Sequence, residues 1–292
     1  MKALFKIKNL LFSPGTLFYK TKGKRNFYKK CMQCIVNIFQ SKRKKNWLQN
    51  IQLSSSICIE GTKGYLVLPP NTLPPKLSEQ VVEVCNEIIN CDRKPIKRKK
   101  SFLLQLLTDK DIEEHPSLLN FALSDQLLSI VSKYLGCAPL LVSMKIMKSV
   151  RIKDDKTSSQ LFHCDHDDTK QVKVFLNIKD VTSKNGPLTV VSADISEKYR
   201  NEHGYEWGGY SGHIPSVNAV KLTHNMEELT GPKGQIALVD TSNVFHFGSV
   251  VDQGERYLFY LQFVSVSNFI VNPLFSLLPN RFLSKMYPFL EI

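Results

Sequence analysis

A short run, Phe162-His163-Cys164-Asp165-His166-Asp167-Asp168, gathers two imidazoles and three carboxylates within seven positions. Far downstream stand Phe245-His246-Phe247-Gly248 and then Gly254-Glu255-Arg256. Taken together, His163, Asp165 and His246 offer two imidazoles and one carboxylate. That donor set suits a divalent iron ion with open coordination positions, an arrangement that activates oxygen. No thiolate or fourth protein ligand belongs to the set, which leaves positions for oxygen and a co-substrate. Arg256, ten residues past His246, stands where a carboxylate-bearing co-substrate could be clamped. Its planar guanidinium grips a carboxylate through two parallel hydrogen bonds that lysine cannot reproduce.

Extended backbone explains the His-x-Asp spacing. On a strand, residues i and i+2 share a face about 6.6 Å apart, so His163 and Asp165 point one way and Cys164 the other. The third ligand must come from another strand. His246 lies between two good strand candidates, Gln235 to Asp240 and Tyr257 to Phe263, both rich in β-branched or aromatic residues. Val251-Asp252-Gln253-Gly254 reads as a hairpin turn between His246 and Arg256. A plain two-residue loop would put Arg256 on the face away from His246. The expectation is therefore a three-residue loop with a bulge at Gly254.

The order of the remaining elements bounds the fold. Ser78 can cap a helix through Asn90, with Val81, Val82, Cys85, Ile88 and Ile89 on its apolar side. Pro116 to Leu135 continues the helical pattern, with leucines and isoleucines at spacings of three and four. From Leu140 onward, short apolar strands alternate with Asp/Gly/Asn/Pro turns. Helices first and strands later predict a mainly β fold with bracing helices, a double-stranded β-helix or jelly roll. The expected organisation is a basic arm at 1–50, partly helical or disordered, a jelly-roll domain at 51–267 and an apolar tail at 268–292.

With these residues in view, the chain resembles the phytanoyl-CoA dioxygenase-like family of Fe(II)- and 2-oxoglutarate-dependent oxygenases. The resemblance runs from about Gly61 to Ser265. It rests on Glu60-Gly61-Thr62-Lys63-Gly64-Tyr65, Tyr134-Leu135-Gly136, the His163 to Asp168 run, Val172 to Val181, Gly186-Pro187-Leu188, and the His246 to Arg256 block. It implies that His163, Asp165 and His246 bind Fe(II) and that Arg256 binds the distal carboxylate of 2-oxoglutarate. Lys173, Phe175 and Asn177 share one face of their strand; if that face is the inner one, Lys173 and Asn177 touch co-substrate or substrate. The family's Pro-Gly-Ser-His turn is replaced here by Val191-Ser192-Ala193-Asp194. Because relatives that halogenate lack the carboxylate at the Asp165 position, the resemblance implies hydroxylation or desaturation of a small-molecule substrate by molecular oxygen. Succinate would be the co-product.

Bland readings stand beside these. Singly, Asp165 could be an N-cap, His163 a surface histidine and His246 a core imidazole; the ordered set carries the metal reading. His166, Asp167 and Asp168 read as loop residues near the site. His203, His213 and His224 read as decoration of a loop over its mouth. Lys145, Lys148 and Arg151 could meet an anionic substrate or be surface charges.

Charge is lopsided. The chain has 39 Lys and Arg against 26 Asp and Glu, and residues 1–50 hold 13 of the basic residues and no acidic one. The rest of the chain is therefore neutral. Such an arm, with Leu, Phe, Tyr and Trp47 between its lysines, could lie on an anionic membrane surface, contact nucleic acid, or be a solvated extension. A catalytically degenerate jelly-roll binding protein that works through this arm is the alternative to an enzyme. No run approaches the roughly 18–20 apolar residues of a membrane span. Seven cysteines without framework spacing suit reduced thiols. The expected location is cytoplasmic, peripheral to a membrane if the arm engages one.

Overall fold

The computed structural model describes residues 42–53, 55–91, 94–96, 101–151, 158–207, 213–214 and 219–265, with helical positions 23, 24, 27, 30, 31 and 34. The apolar tail at 268–292 and most of the basic arm lie outside the described residues. Helix α1 (Lys42–Leu53) runs across the boundary expected at residue 50. It is tied to the domain, with Ile51 buried and Ser129 Oγ donating to the Gln52 carbonyl at 3.1 Å. Among the described residues, no helix is long and apolar enough to cross a membrane.

The helical first half follows local chemistry. Helix α2 (Pro75–Asn90) begins before the expected cap at Ser78. Pro75 takes the first helical position, where a missing N–H costs nothing, and Ser78 instead donates its hydroxyl to the Pro75 carbonyl at 2.9 Å. The periodic run from Pro116 is split. Short helix α3 (Asp109–Glu114) precedes α4 (Pro116–Ala122) and α5 (Asp125–Leu135). The break falls at Leu123-Ser124, where Ser124 turns its backbone N–H and its hydroxyl back onto the Phe121 carbonyl. Gly136 then ends α5 in the left-handed region, at φ 71°.

Two antiparallel sheets make up the β half. The larger holds β1 (Tyr65–Leu68), β7 (Ile236–Val239), β4 (Val172–Asn177), β9 (Arg256–Ser265), β3 (Pro139–Ser149) and β2 (Leu103–Gln105), in that spatial order. The smaller holds β6 (Met226–Leu229), β5 (Leu188–Val191) and β8 (His246–Gly248). Alternation along the central strands sorts their side chains. Val174, Leu176, Phe259, Leu261 and Phe263 face the helices and are fully or almost fully buried, Phe259 in ring contact with Phe121 of α4 at 6.3 Å. The opposite residues, Lys173, Phe175, Leu258, Tyr260 and Gln262, face a cavity shared with the smaller sheet. Each buried aromatic of the helix-facing layer contributes about 1.5–3 kcal/mol, so the core lies on the side of the large sheet away from the cavity.

The expected hairpin with a bulge at Gly254 does not form. β8 pairs with β5 in the smaller sheet, while β9 pairs with β3 and β4 in the larger, so residues 249–255 cross between sheets. Each strand finds a longer or better-buried partner elsewhere than it would in a two-stranded ribbon, which is marginal alone. Gly254 does adopt a positive φ of 69°, but as a turn in the crossing. The crossing is held against the turn before β5. Asp252 and Gln253 donate backbone N–H groups to the Lys184 carbonyl at 2.7 and 2.9 Å, and Ser249 donates to Pro187 at 2.9 Å.

That contact needs Gly186. Its φ is +79°, and a Cβ there would meet the Ser249 carbonyl oxygen at 2.7 Å and Val251 Cγ2 at 3.0 Å. Gly186→Ala therefore combines a left-handed penalty with a backbone clash, and the expected destabilisation is about 2–4 kcal/mol. Chemical denaturation of the variant beside Gly204→Ala checks this. Gly204 has φ +61° but nothing within 4 Å, so its alanine variant isolates the backbone penalty and should lose less.

Candidate metal and dicarboxylate site

The segment 162–165 is not a strand of either sheet. It is extended backbone pinned by bridges: Phe162 to Ile214, and His163 to His246. His163 N donates to the His246 carbonyl and His246 N to the His163 carbonyl, both at 3.1 Å, and Asp165 N donates to Thr241 at 2.7 Å. Alternation holds across this segment. Phe162 and Cys164 enter an apolar cluster with Tyr199, Trp207 and Phe245, while His163 and Asp165 turn into the cavity.

One ligand atom from each of His163, Asp165 and His246 lies within 4.8 Å of the others. His163 Nε2 is 3.8 Å from Asp165 Oδ1, and His246 Nε2 is 3.5 Å from Asp165 Oδ2. Each imidazole contacts a backbone carbonyl two residues earlier through Nδ1, His163 with Leu161 at 2.8 Å and His246 with Val244 at 3.0 Å. An Nδ1–H donated there fixes the tautomer that presents Nε2 to the cavity as an acceptor. Burial, and then the neighbouring His246, hold the His163 pKa well below its ordinary value, so the ring is neutral and ready to ligate. Burial opposes ionisation of Asp165, but the Lys173 ammonium outweighs it and holds that carboxyl well below its usual range. Two imidazole donors and one carboxylate, converging and facing open space, are the residues that fit a divalent metal of the iron type.

Two cations flank this cluster. Lys173 on β4 places Nζ 2.5 Å from Asp165 Oδ2 and 5.7 Å from the Tyr260 ring centre. Burial acts to lower its pKa, but Asp165 more than compensates and the ammonium stays charged. Arg256 opens β9 opposite Ser149, to whose hydroxyl Nη2 donates at 3.1 Å. Its Nε and Nη1 are buried with no partner among the described residues. Burial pulls its pKa down to about 10, leaving it cationic at neutral pH. A Cβ at Gly248 would sit 3.7 Å from Arg256 Nη2, so the guanidinium reaches β8 two residues along from His246. A buried guanidinium with two unused donors lacks an anion, and a carboxylate supplies one in matching fork geometry.

The cavity joining these groups has a volume of about 300 Å³. Phe102, Leu103, Phe175, Leu188, Val251 and Leu258 form its apolar wall, with Gln160 and Gln262 among its polar positions. Lys145 lines it as well. Lys148 is instead paired with Glu255 at 2.6 Å, and Arg151 donates to the Asp252 carbonyl. Asn177, expected beside Lys173 at the co-substrate, lines instead a small adjoining cavity that it shares with Arg256. Its amide donates to the carbonyls of Gly231 and Pro232, at 3.3 Å each, and secures that loop.

Nearby acidic and histidine residues take separate duties. Asp168 is buried and accepts from the Ser265 N–H and hydroxyl at 2.8 Å, and Asp167 accepts from Gln262 at 2.9 Å. His166 and His224 are exposed. His203 stacks on Tyr199 at the end of helix α6 (Ala193–His203). His213 stacks on His163 with ring centres 5.1 Å apart, a contact with no sequence signal beyond its polar, Gly-rich surroundings.

Comparison with known proteins locates this architecture. No family model matches the chain, and no curated protein matches its sequence. Among solved structures, EctD from S. alaskensis with bound Fe aligns with a TM-score of 0.51 at 15% identity, over 71% of this chain and 74% of that one. The non-heme α-ketoglutarate-dependent epimerase SnoN from nogalamycin biosynthesis aligns with a TM-score of 0.50 at 11% identity, over 76% and 84%. The fold is the double-stranded β-helix. The convergent His163/Asp165/His246 cluster and the orphaned Arg256 face one cavity between its two sheets.

Arg256→Met provides the test of the anion position. Removing an unneutralised buried cation is expected to raise the melting temperature of the ligand-free protein by about 2–4 °C, roughly 1 kcal/mol in a chain of this size. The same change is expected to weaken 2-oxoglutarate binding by about 10–100-fold, the worth of charge-assisted hydrogen bonds. Thermal melts and calorimetric titration with Mn(II) present read the two effects. A lower melting temperature with unchanged affinity would assign Arg256 to the scaffold alone.

Proposed function

We propose that the chain is an Fe(II)- and 2-oxoglutarate-dependent dioxygenase of the phytanoyl-CoA dioxygenase-like type, hydroxylating an unactivated C–H bond of a small organic substrate. The observation that carries this reading is the meeting of an open two-histidine, one-carboxylate cluster with a buried arginine that lacks an anion, in one cavity. The two aligned structures, one with bound Fe and one described as α-ketoglutarate-dependent, support it through their fold. His163, Asp165 and His246 would hold the iron. Iron and 2-oxoglutarate together supply oxygen activation coupled to oxidative decarboxylation of the keto acid to succinate.

The protein's own residues do the rest. Nδ1–H bonding to the Leu161 and Val244 carbonyls fixes both rings, so binding spends no free energy on tautomer or rotamer choice. The ionised Asp165 keeps one negative charge at the centre. Arg256 orients the far carboxylate of the diacid, with Ser149 steadying one arm of the guanidinium. Phe102, Leu103, Phe175 and Leu188 present an apolar surface that excludes water from the reacting centre. A volume of about 300 Å³ is at the low end for ligand clefts, which suits a small substrate beside the co-substrate.

Anaerobic titration with Fe(II) and 2-oxoglutarate tests the reading. The expected result is a visible metal-to-ligand charge-transfer band in the wild type that is absent in His163→Ala, together with succinate formation on admitting oxygen. A wild-type protein that takes up neither metal nor diacid would sink the dioxygenase reading.

A further inference from the structure

Lys173 is a charged partner where a neutral one would serve to orient Asp165. Its Nζ lies 2.5 Å from Asp165 Oδ2, the same oxygen that is 3.5 Å from His246 Nε2. Lys173 is an inward residue of a central strand, opposite Gln262 on β9 and Val239 on β7, with its side chain only 13% exposed. Holding a carboxylate rotamer needs a hydrogen-bond donor, which Asn, Gln, Ser or Thr supplies without the cost of burying an ion. A full positive charge at this point must therefore act through its field. Any metal ion drawn to the His163/Asp165/His246 cluster shares its only carboxylate with an ammonium already bound to it. Like charges confined in a poorly screened cavity repel strongly.

Arg256 and Lys145 line the same cavity, so three cations stand against the Asp165 carboxylate, a formal surplus of two. A divalent ion alone raises that surplus to four, and a dicarboxylate returns it to two. We infer that Lys173 makes metal uptake conditional on the diacid: the metal alone binds weakly, and metal and 2-oxoglutarate bind with positive cooperativity set by the Lys173 charge. The inference rests on the dioxygenase reading of the site and deepens it, assigning Lys173 as a positioning residue that governs the order of assembly. Linkage requires the coupling to be reciprocal, so the metal must strengthen diacid binding by the same factor.

The test is calorimetric titration of Mn(II), a metal that keeps its oxidation state under these conditions, into the full-length protein with and without 2-oxoglutarate. Wild type, Lys173→Met, Lys173→Gln and Lys173→Arg are compared, with melting curves confirming which variants fold. In wild type the diacid is expected to tighten Mn(II) binding by about tenfold or more, within the usual range of coupling between sites. The neutral variants are expected to bind Mn(II) alone about tenfold tighter than wild type, with the coupling falling to about threefold or less, because the repulsion has gone. Lys173→Arg keeps the charge and should keep the coupling. Gln retains a donor to Asp165, so a gain in Mn(II) affinity shared by Met and Gln separates the charge effect from rotamer positioning. Unchanged or weaker Mn(II) binding in the folded neutral variants overturns the inference and leaves the dioxygenase reading intact. No Mn(II) binding by wild type even with the diacid overturns both.

Discussion

Two reciprocal backbone hydrogen bonds between His163 and His246, each 3.1 Å, join segments 83 residues apart and place the imidazoles with ring centres 4.3 Å apart. Everything at the site depends on this bridge. It aligns the extended run 162–165 with β8, so that alternation alone delivers His163 and Asp165 to the cavity and Cys164 to the apolar cluster behind. The bridge in turn requires β8 to be fixed, which its pairing with β5 and the burial of Val244 and Phe245 accomplish. The convergence of the three donors is thus a by-product of pinning the extended run 162–165 along β8 of the smaller sheet.

Electrostatics at the site run against stability. Three cations line one cavity with a single carboxylate, and two nitrogens of Arg256 lack an acceptor among the described residues. Such an arrangement persists only because the fold is over-determined elsewhere. The compensating layer lies on the opposite face of the large sheet, where Phe121, Ile130, Val174, Phe259 and Phe263 pack almost without exposure. One sheet therefore separates a stabilising apolar layer from a cavity poised for anions, and the period-two alternation of β4 and β9 assigns each residue to one or the other.

Much of this was legible in the chain. Donor types at 163, 165 and 246 and the arginine at 256 announce a metal and dicarboxylate chemistry because few other roles require that combination. Helix periodicity and strand composition foretell helices followed by antiparallel strands. The hairpin expected between His246 and Arg256 was the main departure. Gly254 does turn with a positive φ, but strand pairing depends on neighbours that arrive from residues 139–191. The start of α2 at Pro75 and the break at Ser124 are smaller departures of the same kind, where proline and a side-chain hydrogen bond overrode the apolar period.

The sequence by itself determined the ligand types, their spacing and which face of an extended segment each would take, since these follow from side-chain chemistry and backbone period. Tertiary structure decided which strands pair, and so that Arg256 meets the site across a gap between sheets instead of along a hairpin. It also separated Lys173 from Asn177, two residues of one strand face: the first reaches Asp165, the second donates to the Gly231-Pro232 loop and lines a small cavity beside Arg256. No local rule distinguishes them, because the difference lies in what packs opposite each one.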